Sequence, residues 1–302
     1  MIFKIPSDIK FSNSYFKLNI LSIILIILSI LIIIFKGLNF GVDFKGGTLI
    51  ELRAENKSIT ISDIRQSFLK MNLGDVTVKK FGKEDDYLVK IEETNSNNEN
   101  FIQLLKNKLS ADLGSDINFR RVENVGPKVS RELLNAGLLA ISLSLAAMLF
   151  YIWIRFEWQF SLGAILALIH DVTITVGIFA FLAYEINLSI VAAVLTIVGY
   201  SMNDTVVIFD RIRENLKKYS KISITDIADT SINQTLSRTL ITSITTLLAL
   251  LSIFIFGGAI LKGFSFAMIV GVLVGTYSSI FVATPILKYT NVNQKTVLKE
   301  DN

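Results

Sequence analysis

Six apolar runs divide the chain: Leu18–Phe35, Leu133–Trp153, Phe160–Tyr184, Leu188–Phe209, Thr235–Phe256 and Phe264–Leu287. A helix crosses the hydrocarbon of a bilayer with about 20 residues, so each run predicts a membrane span. The first resembles a signal peptide only superficially. Its run is long, and Lys36-Gly37-Leu38-Asn39-Phe40 supplies no small-residue cleavage site, so it is read as a retained anchor.

Between the first two spans, Lys36–Glu132 changes period. Thr48–Arg53 alternates as a strand. Thr60-Ile61-Ser62-Asp63 resembles a capping box, and Ile61, Ile64, Phe68 and Met71 then repeat at helical spacing. Asp75–Phe81 and Tyr87–Glu92 read as strands joined by a turn at Gly82–Asp86. Phe101, Leu104, Leu105 and Leu109 form a second helical stripe, ended by Gly114, and Ile117–Val122 is a last strand. The order β-α-β-β-α-β is the ferredoxin-like split motif. The run Glu92–Asn100 is a solvated loop, and Ile222–Ser231 reads as a short interfacial amphipathic helix. The expected fold is an α-helical polytopic membrane protein of six transmembrane helices with an inserted α+β ferredoxin-like extracytoplasmic domain. Its expected divisions are an N-terminal segment 1–17, span one 18–36, the inserted domain and junctions 37–131, spans two to six 132–288 with a loop at 211–234, and a tail 289–302.

Composition agrees with a bilayer. The chain is 51% hydrophobic with mean hydropathy +0.54. It has no cysteine and one histidine, His170, which excludes disulfides, thiolate metal sites and His-rich clusters. Neither a metal nor another cofactor is expected. The net charge of +4 reflects loop cations and is weak support for nucleic acid, which is not expected as a partner. Those cations orient the spans. Lys4, Lys10 and Lys17 precede span one, Arg155 follows span two, and Arg211, Arg213, Lys217, Lys218 and Lys221 follow span four. Lys288, Lys295 and Lys299 follow span six, whereas Glu185–Asn187 carries no cation and Gly257–Gly263 only Lys262. The asymmetry predicts cytoplasmic termini and an outside location for the inserted domain.

The candidate chemistry lies inside the spans. Asp204 interrupts span four, where a carboxylate costs roughly 2.5–3.5 kcal/mol on insertion scales. Six residues of helix, about 9 Å, separate it from Asp210. Thr196, Tyr200 and Asn203 fall on or near its face. Arg238 opens span five, and Thr242, Thr245 and Thr246 continue its face as a hydroxyl stripe. An acid that exchanges a proton near a permanent cation suits a proton-driven machine. The structural alternatives are a hydrogen-bonded helix clamp for Asp204 and a snorkelling side chain for Arg238. His170 and Asp171, mid-span in span three, are a candidate proton relay or a packing contact. Asp43 and Lys45 flank the end of span one as candidate hinge residues. Gly41, Gly46 and Gly47 there, with Gly126 and Pro127 before span two, suit backbone turns. Asp210, Arg211, Arg213 and Glu214 read as a charged cap that fixes topology.

Several of these segments carry a family signature. Gly41-Val42-Asp43-Phe44-Lys45-Gly46-Gly47-Thr48 resembles the stretch after the first span of the SecD/SecF family, accessory subunits of the bacterial Sec translocase. Val125-Gly126-Pro127 is similar to the family's second junction. Gly199 to Glu214, with Asn203-Asp204-Thr205 at its centre, resembles the fourth span of the SecF branch, and Ser237-Arg238-Thr239 its fifth. The resemblance implies half of a resistance-nodulation-division (RND) fold and an inner-membrane location. It also implies use of the proton motive force in preprotein translocation, with Asp204 and Arg238 as the proton-coupling pair. The partners implied are SecD with a second set of six spans, the Sec translocon channel, YajC, the membrane insertase and the unfolded preprotein.

Other classes fit less well. A half-transporter of small molecules or lipids would need a larger substrate cleft than the single domain at 37–131 provides. An intramembrane enzyme is not expected: His-Glu-x-x-His is absent, Gly199–Asp204 lacks an aspartyl-protease context, and His170 has no Gly-x-Ser companion. Ser201, Asn203, Thr205 and the span-five threonines leave sodium open as the coupling ion.

Overall fold

The computed structural model describes residues 9–56, 58–80, 85–92, 99–219 and 222–298. Lys4, Lys221, Lys299, most of the Gly82–Asp86 turn and most of the Glu92–Asn100 run lie outside the described residues. Six helices among the described residues are long and apolar enough to cross a membrane. They are α1 (Tyr15–Lys36, preceded by a 3-10 turn), α5 (Pro127–Arg155), α6 (Trp158–Leu182), α7 (Leu188–Lys218), α8 (Ile224–Phe256) and the sixth, composite span. That span joins α9 (Gly258–Ser278), a single π-helical turn Ser279–Ala283, and α10 (Thr284–Tyr289). A short α11 (Gln294–Leu298) follows. The chain is a multi-pass membrane protein.

Two compact units emerge. One holds Phe40–Leu139 with Glu185–Leu188, and the other holds the remaining helical segments. In the first unit a four-residue α2 (Val42–Lys45) leads into β1 (Gly47–Ala54), α3 (Ile61–Leu69), β2 (Val76–Lys80), β3 (Asp86–Ile91), α4 (Glu99–Leu113) and β4 (Ile117–Val125). The sheet order is β2-β3-β1-β4 with every neighbouring pair antiparallel. This is the ferredoxin-like arrangement, an α+β insertion in an α-helical chain. The capping box forms: Asp63 N–H donates to Thr60 Oγ1 at 3.3 Å, and Thr60 N–H donates to Asp63 Oδ2 at 2.9 Å. Ile64 and Phe68 from α3 and Leu105 and Leu109 from α4 bury fully against Ile50, Leu52, Val89 and Ile91. Gly47, at the start of β1, has φ +111°, and an added Cβ would lie 2.5 Å from the Ile91 carbonyl oxygen. Only glycine fits there. Gly47 pairs with Val125, so the chain enters and leaves the domain on adjacent strands, and Pro127 begins α5.

The helices extend beyond the hydropathy runs. Residues 211–234 read from sequence as a loop, yet α7 continues to Lys218 and α8 begins at Ile224. Asn215 Nδ2 donates to Ser231 Oγ (2.8 Å) and Gln234 Oε1 (2.9 Å), and Arg211 also donates to Gln234. These polar contacts pair the two helices where apolar content runs out, and hydropathy cannot register them. Ser223 caps α8 by accepting from Asp226 N–H at 3.2 Å. The segment read as a separate interfacial helix is therefore the first turns of α8.

Helices in the second unit approach closely at small residues, as membrane helices do. A Cβ on Gly271 of α9 would lie 2.3 Å from Ile197 of α7, and one on Gly177 of α6 would lie 2.3 Å from Ser29 of α1.

Candidate functional site

Asp204 is buried, 2% exposed, on the face of α7 that meets α9. That approach is possible because Gly275 of α9 presents no side chain. A Cβ there would stand 3.0 Å from Ser201 Cβ. Thr276 Oγ1, the next residue, donates to Asp204 Oδ2 at 3.3 Å. Thr276 in turn shares a hydrogen bond with Ser243 of α8 at 2.9 Å. Asn203 Nδ2 lies 3.4 Å from Oδ1. The carboxylate thus sits among neutral donors from three helices.

Arg238 takes a different position from the expected partner. It is exposed, and among the described residues no salt bridge joins it to Asp204. Along the Arg238–Thr242–Thr245 stripe, Arg238 and Thr245 are exposed in this chain and Thr242 is half-buried. Thr242 and Thr245 return their hydroxyls to carbonyls of their own helix, at Arg238 (3.1 Å) and Ile241 (2.8 Å). The buried hydroxyls are Thr239 and Ser243, one helical step round. Thr196 and Asn203 are exposed, and Tyr200 is half-buried with a buried hydroxyl that has no hydrogen-bond partner among the described residues.

A second polar centre lies in the same bundle. Asp171 is fully buried, with Oδ1 2.8 Å from His170 Nδ1. Its Oδ2 accepts from Ser201 Oγ at 2.5 Å and Ser278 Oγ at 2.8 Å. His170 stacks on Tyr277 with ring centroids 5.9 Å apart, and the Tyr277 hydroxyl donates to the Leu18 carbonyl of α1. His170 Nε2 is buried, with no hydrogen-bond partner among the described residues. Ser201 and Thr205 flank Asp204 on α7, and Thr205 Oγ1 lies 2.8 Å from Ser279 Oγ. The two centres therefore share α7 and the run Thr276-Tyr277-Ser278-Ser279 of the sixth span. Sequence reading missed that run. Its signal was available: four consecutive hydroxyl residues in an otherwise apolar span. The π-helical turn begins there, and such turns recur at functional sites.

The charged cap forms pairs. Arg155 meets Asp210 at 2.8 Å, Arg213 meets Glu157 at 3.2 Å, and Arg211 meets Glu214 at 2.6 Å. At the junctions, Gly46 has φ +82°, Ser130 N–H donates to the Gly126 carbonyl at 3.0 Å, and Lys45 is exposed. Asp43 Oδ2 accepts from the Leu188 backbone N–H at 2.9 Å. No group of three or more potential metal ligands occurs among the described residues.

Comparison with known proteins places this arrangement. The family model for the C-terminal region of protein export membrane protein SecD/SecF matches residues 105–293, and that for the SecD/SecF GG motif matches residues 31–57. The chain belongs to the SecD/SecF family. Protein translocase subunit SecF of Rickettsia bellii is 44% identical over 287 residues, covering 94% of both chains. The SecF subunit of Vibrio alginolyticus is 47% identical over 266 residues, covering 88% of this chain and 84% of that one. The crystal structure of SecDF from Thermus thermophilus superposes with a TM-score of 0.85 at 34% identity, over 94% of this chain. A SecDF structure in a super-membrane-facing form gives 0.70 at 31% identity over the whole chain. This SecD/SecF member spans 39% and 41% of those longer chains.

Proposed function

We propose that this chain is an accessory subunit of the Sec protein translocase, a transport component that uses the proton motive force to promote preprotein movement and release. Its named SecF relatives support the translocase role. Asp204 would be the group that takes and releases the proton. The observation that carries this reading is a buried carboxylate, held among the described residues by hydroxyl and amide donors, in the middle of a helix long enough to span the membrane. Buried acids paired with a fixed cation are usually static, whereas an acid among neutral hydroxyls is free to change charge. Arg238, exposed on the neighbouring helix, would approach and withdraw from the acid as the helices repack. One charge crossing the membrane supplies about 2.3 kcal/mol per 100 mV, enough to bias a two-state packing by tens of fold.

A second chain completes the assembly. Asn203 and Arg238 expose polar groups on helices that cross the membrane, and hydrocarbon does not solvate such groups. Protein must cover them, and a SecD chain is the partner that the longer SecDF structures suggest. The translocon channel, YajC and the membrane insertase are further proposed neighbours. The cation asymmetry supports an inner-membrane orientation with both termini cytoplasmic and the ferredoxin-like domain outside. His170 and Asp171 are proposed as a fixed polar centre that orients α7.

The test is late-stage translocation in sealed vesicles containing this chain and SecD, after ATP is exhausted, with an imposed proton gradient. Asp204→Asn at matched protein level is expected to abolish gradient-driven completion. Completion at the wild-type rate would overturn the reading and leave Asp204 as a structural clamp. Substituting a sodium gradient identifies the ion.

A further inference from the structure

The connection between α6 and α7 is short, and its last residues 185–187, with Leu188 at the start of α7, are held by the glycine-rich segment that follows α1. Gly41 N–H donates to the Ile186 carbonyl at 2.9 Å, within a parallel bridge between Phe40 and Ile186. The approach is close: a Cβ on Gly41 would lie 3.3 Å from Asn187 Cβ and 3.4 Å from Glu185 Cγ. Lys90, from β3 of the ferredoxin-like sheet, donates to the Phe40 carbonyl at 3.0 Å and stands 3.7 Å from Glu185 Oε1. Asp43 Oδ2 then accepts from the N–H of Leu188, the first residue of α7, at 2.9 Å. Ile186, Val42 and Phe44 are buried beneath these polar contacts.

The first-turn N–H groups of a helix lack partners within the helix, and its N-terminus carries partial positive charge. A carboxylate there satisfies one N–H and complements the dipole. Here the carboxylate comes from 145 positions away in sequence. The cap is therefore a tertiary tie and not merely a local helix start. Asp204 lies 16 residues further along α7, about 24 Å of helix. A shift or rotation of α7 would move Leu188, and with it Asp43 and the base of β1.

We infer that Asp43 is a positioning residue. Its cap on α7, together with the Gly41–Ile186 bond and the Lys90–Glu185 tie, is a permanent clasp that transmits movement of the Asp204 helix to the root of the ferredoxin-like domain. The inference rests on the proposed proton-coupled function and adds the part that carries the motion. Lys90 lies half-buried in the clasp, and burial lowers its pKa from the usual lysine value, with Glu185 opposing that shift. A lysine kept there despite that cost is consistent with a tie across the clasp.

The experiment uses the full chain with SecD in vesicles and reads two quantities for each variant: gradient-driven completion and amide exchange at 188–190. Asp43→Ala is expected to slow gradient-driven completion about ten-fold while the ATP-driven stage is unchanged, and to speed exchange about five-fold. Asp43→Asn keeps an acceptor at the helix start and is expected to restore both to within about two-fold of wild type. Because the chain has no cysteine, Gly41→Cys with Asn187→Cys introduces a single possible disulfide at a Cβ separation near the usual range. A permanent clasp predicts that oxidising this pair leaves gradient-driven completion within about two-fold of the reduced protein. Two results would overturn the inference: accelerated exchange in Asp43→Ala with completion unaffected, or a crosslink that stops completion until it is reduced. Should the alanine variant fail to accumulate, Lys90→Met cuts the tie to Glu185 and leaves Asp43 in place. A completion rate equal to wild type in that variant would overturn the inference, and a loss of about three-fold would support it. Asp204→Asn, run in parallel, separates the two readings. If it leaves completion intact the proton role falls, while exchange at 188–190 and the crosslink still report on the clasp.

Discussion

In the ferredoxin-like domain, Ile50, Leu52, Ile64, Phe68 and Leu109 are wholly buried, while Lys70, Asp112 and Arg120 lie toward the surface. In the helix bundle many apolar side chains face outward, and buried polar groups join an apolar core that includes Phe156, Phe160, Phe209 and Ile212. Ile23, Ile24, Ile34, Ile241 and Leu248 are exposed, and His170, Asp171, Thr175, Ser201, Asp204, Thr205, Ser278 and Ser279 are buried. The reason is the solvent. Water drives apolar side chains inward in the small domain. Hydrocarbon gives no such drive between helices, so the bundle is held by small-residue contacts and by polar groups that lose more in lipid than they do against one another. One region has an apolar interior, and the other buries hydroxyl and carboxyl groups beside its apolar ones.

The comparison can be broken in either half. Phe68→Ala in α3 deletes a fully buried ring and is expected to cost about 3–5 kcal/mol. The loss should be confined to the domain between β1 and β4, read as faster amide exchange there with the spans unchanged. Exchange that rises equally in α6 and α7 would show that the two units do not unfold separately.

The mirror experiment is Asp171→Ala. It removes an acceptor shared by Ser201, Ser278 and His170 and leaves the buried Ser201 hydroxyl and His170 ring nitrogen unpaired, at about 1–3 kcal/mol each, while Ser278 keeps the Gly275 carbonyl at 3.1 Å. A total on the order of 3 kcal/mol is expected in denaturant titration of the micelle-solubilised chain. Asp204→Asn, whose partners are fewer and longer, should cost much less stability while costing the gradient-driven step. If the two substitutions destabilise equally, Asp204 is as structural as Asp171, and the division of labour between the two centres disappears.

How far the sequence foretold this depends on the same difference. Strands and helices of the small domain were legible because water imposes periods of 2 and 3.6, as in Thr48–Arg53 and Ile61–Phe68. The spans were legible from length alone. Their ends were not, because α7 and α8 pair beyond the apolar runs through Asn215, Ser231 and Gln234. Within this chain the buried mid-span hydroxyls of α8 are Thr239 and Ser243, and no local pattern in the sequence separates that face from the adjoining Arg238 stripe. Asp204 stood out because a lone acid in an apolar run is conspicuous. Thr276 and Ser278 did not, since hydroxyls are tolerated in any membrane helix by bonding to their own carbonyls. Asp43 read as a hinge residue because nothing local reveals that a helix start 145 positions away needs an acceptor.

The smallest expected effect concerns pH and belongs to the small domain. The Thr60 backbone N–H, and then its hydroxyl, hold the Asp63 carboxyl below its usual range, and burial opposes this slightly. Lys70 and then Ser67 do the same for Asp112. A carboxyl whose folded pKa lies below the unfolded value, about 3.9, contributes stability that is present in full above that value. The contribution is lost as pH falls through the lower, folded pKa. The first turn of α3 should therefore open more readily at about pH 3 than at about pH 5, relative to β1 and after correction for intrinsic exchange. Asp63→Asn should remove the difference, since an amide does not titrate in this range. An unchanged ratio in the native chain would mean that the capping box adds nothing that depends on charge. The first turn of α3 would then be held by the apolar packing of Ile64 and Phe68 alone.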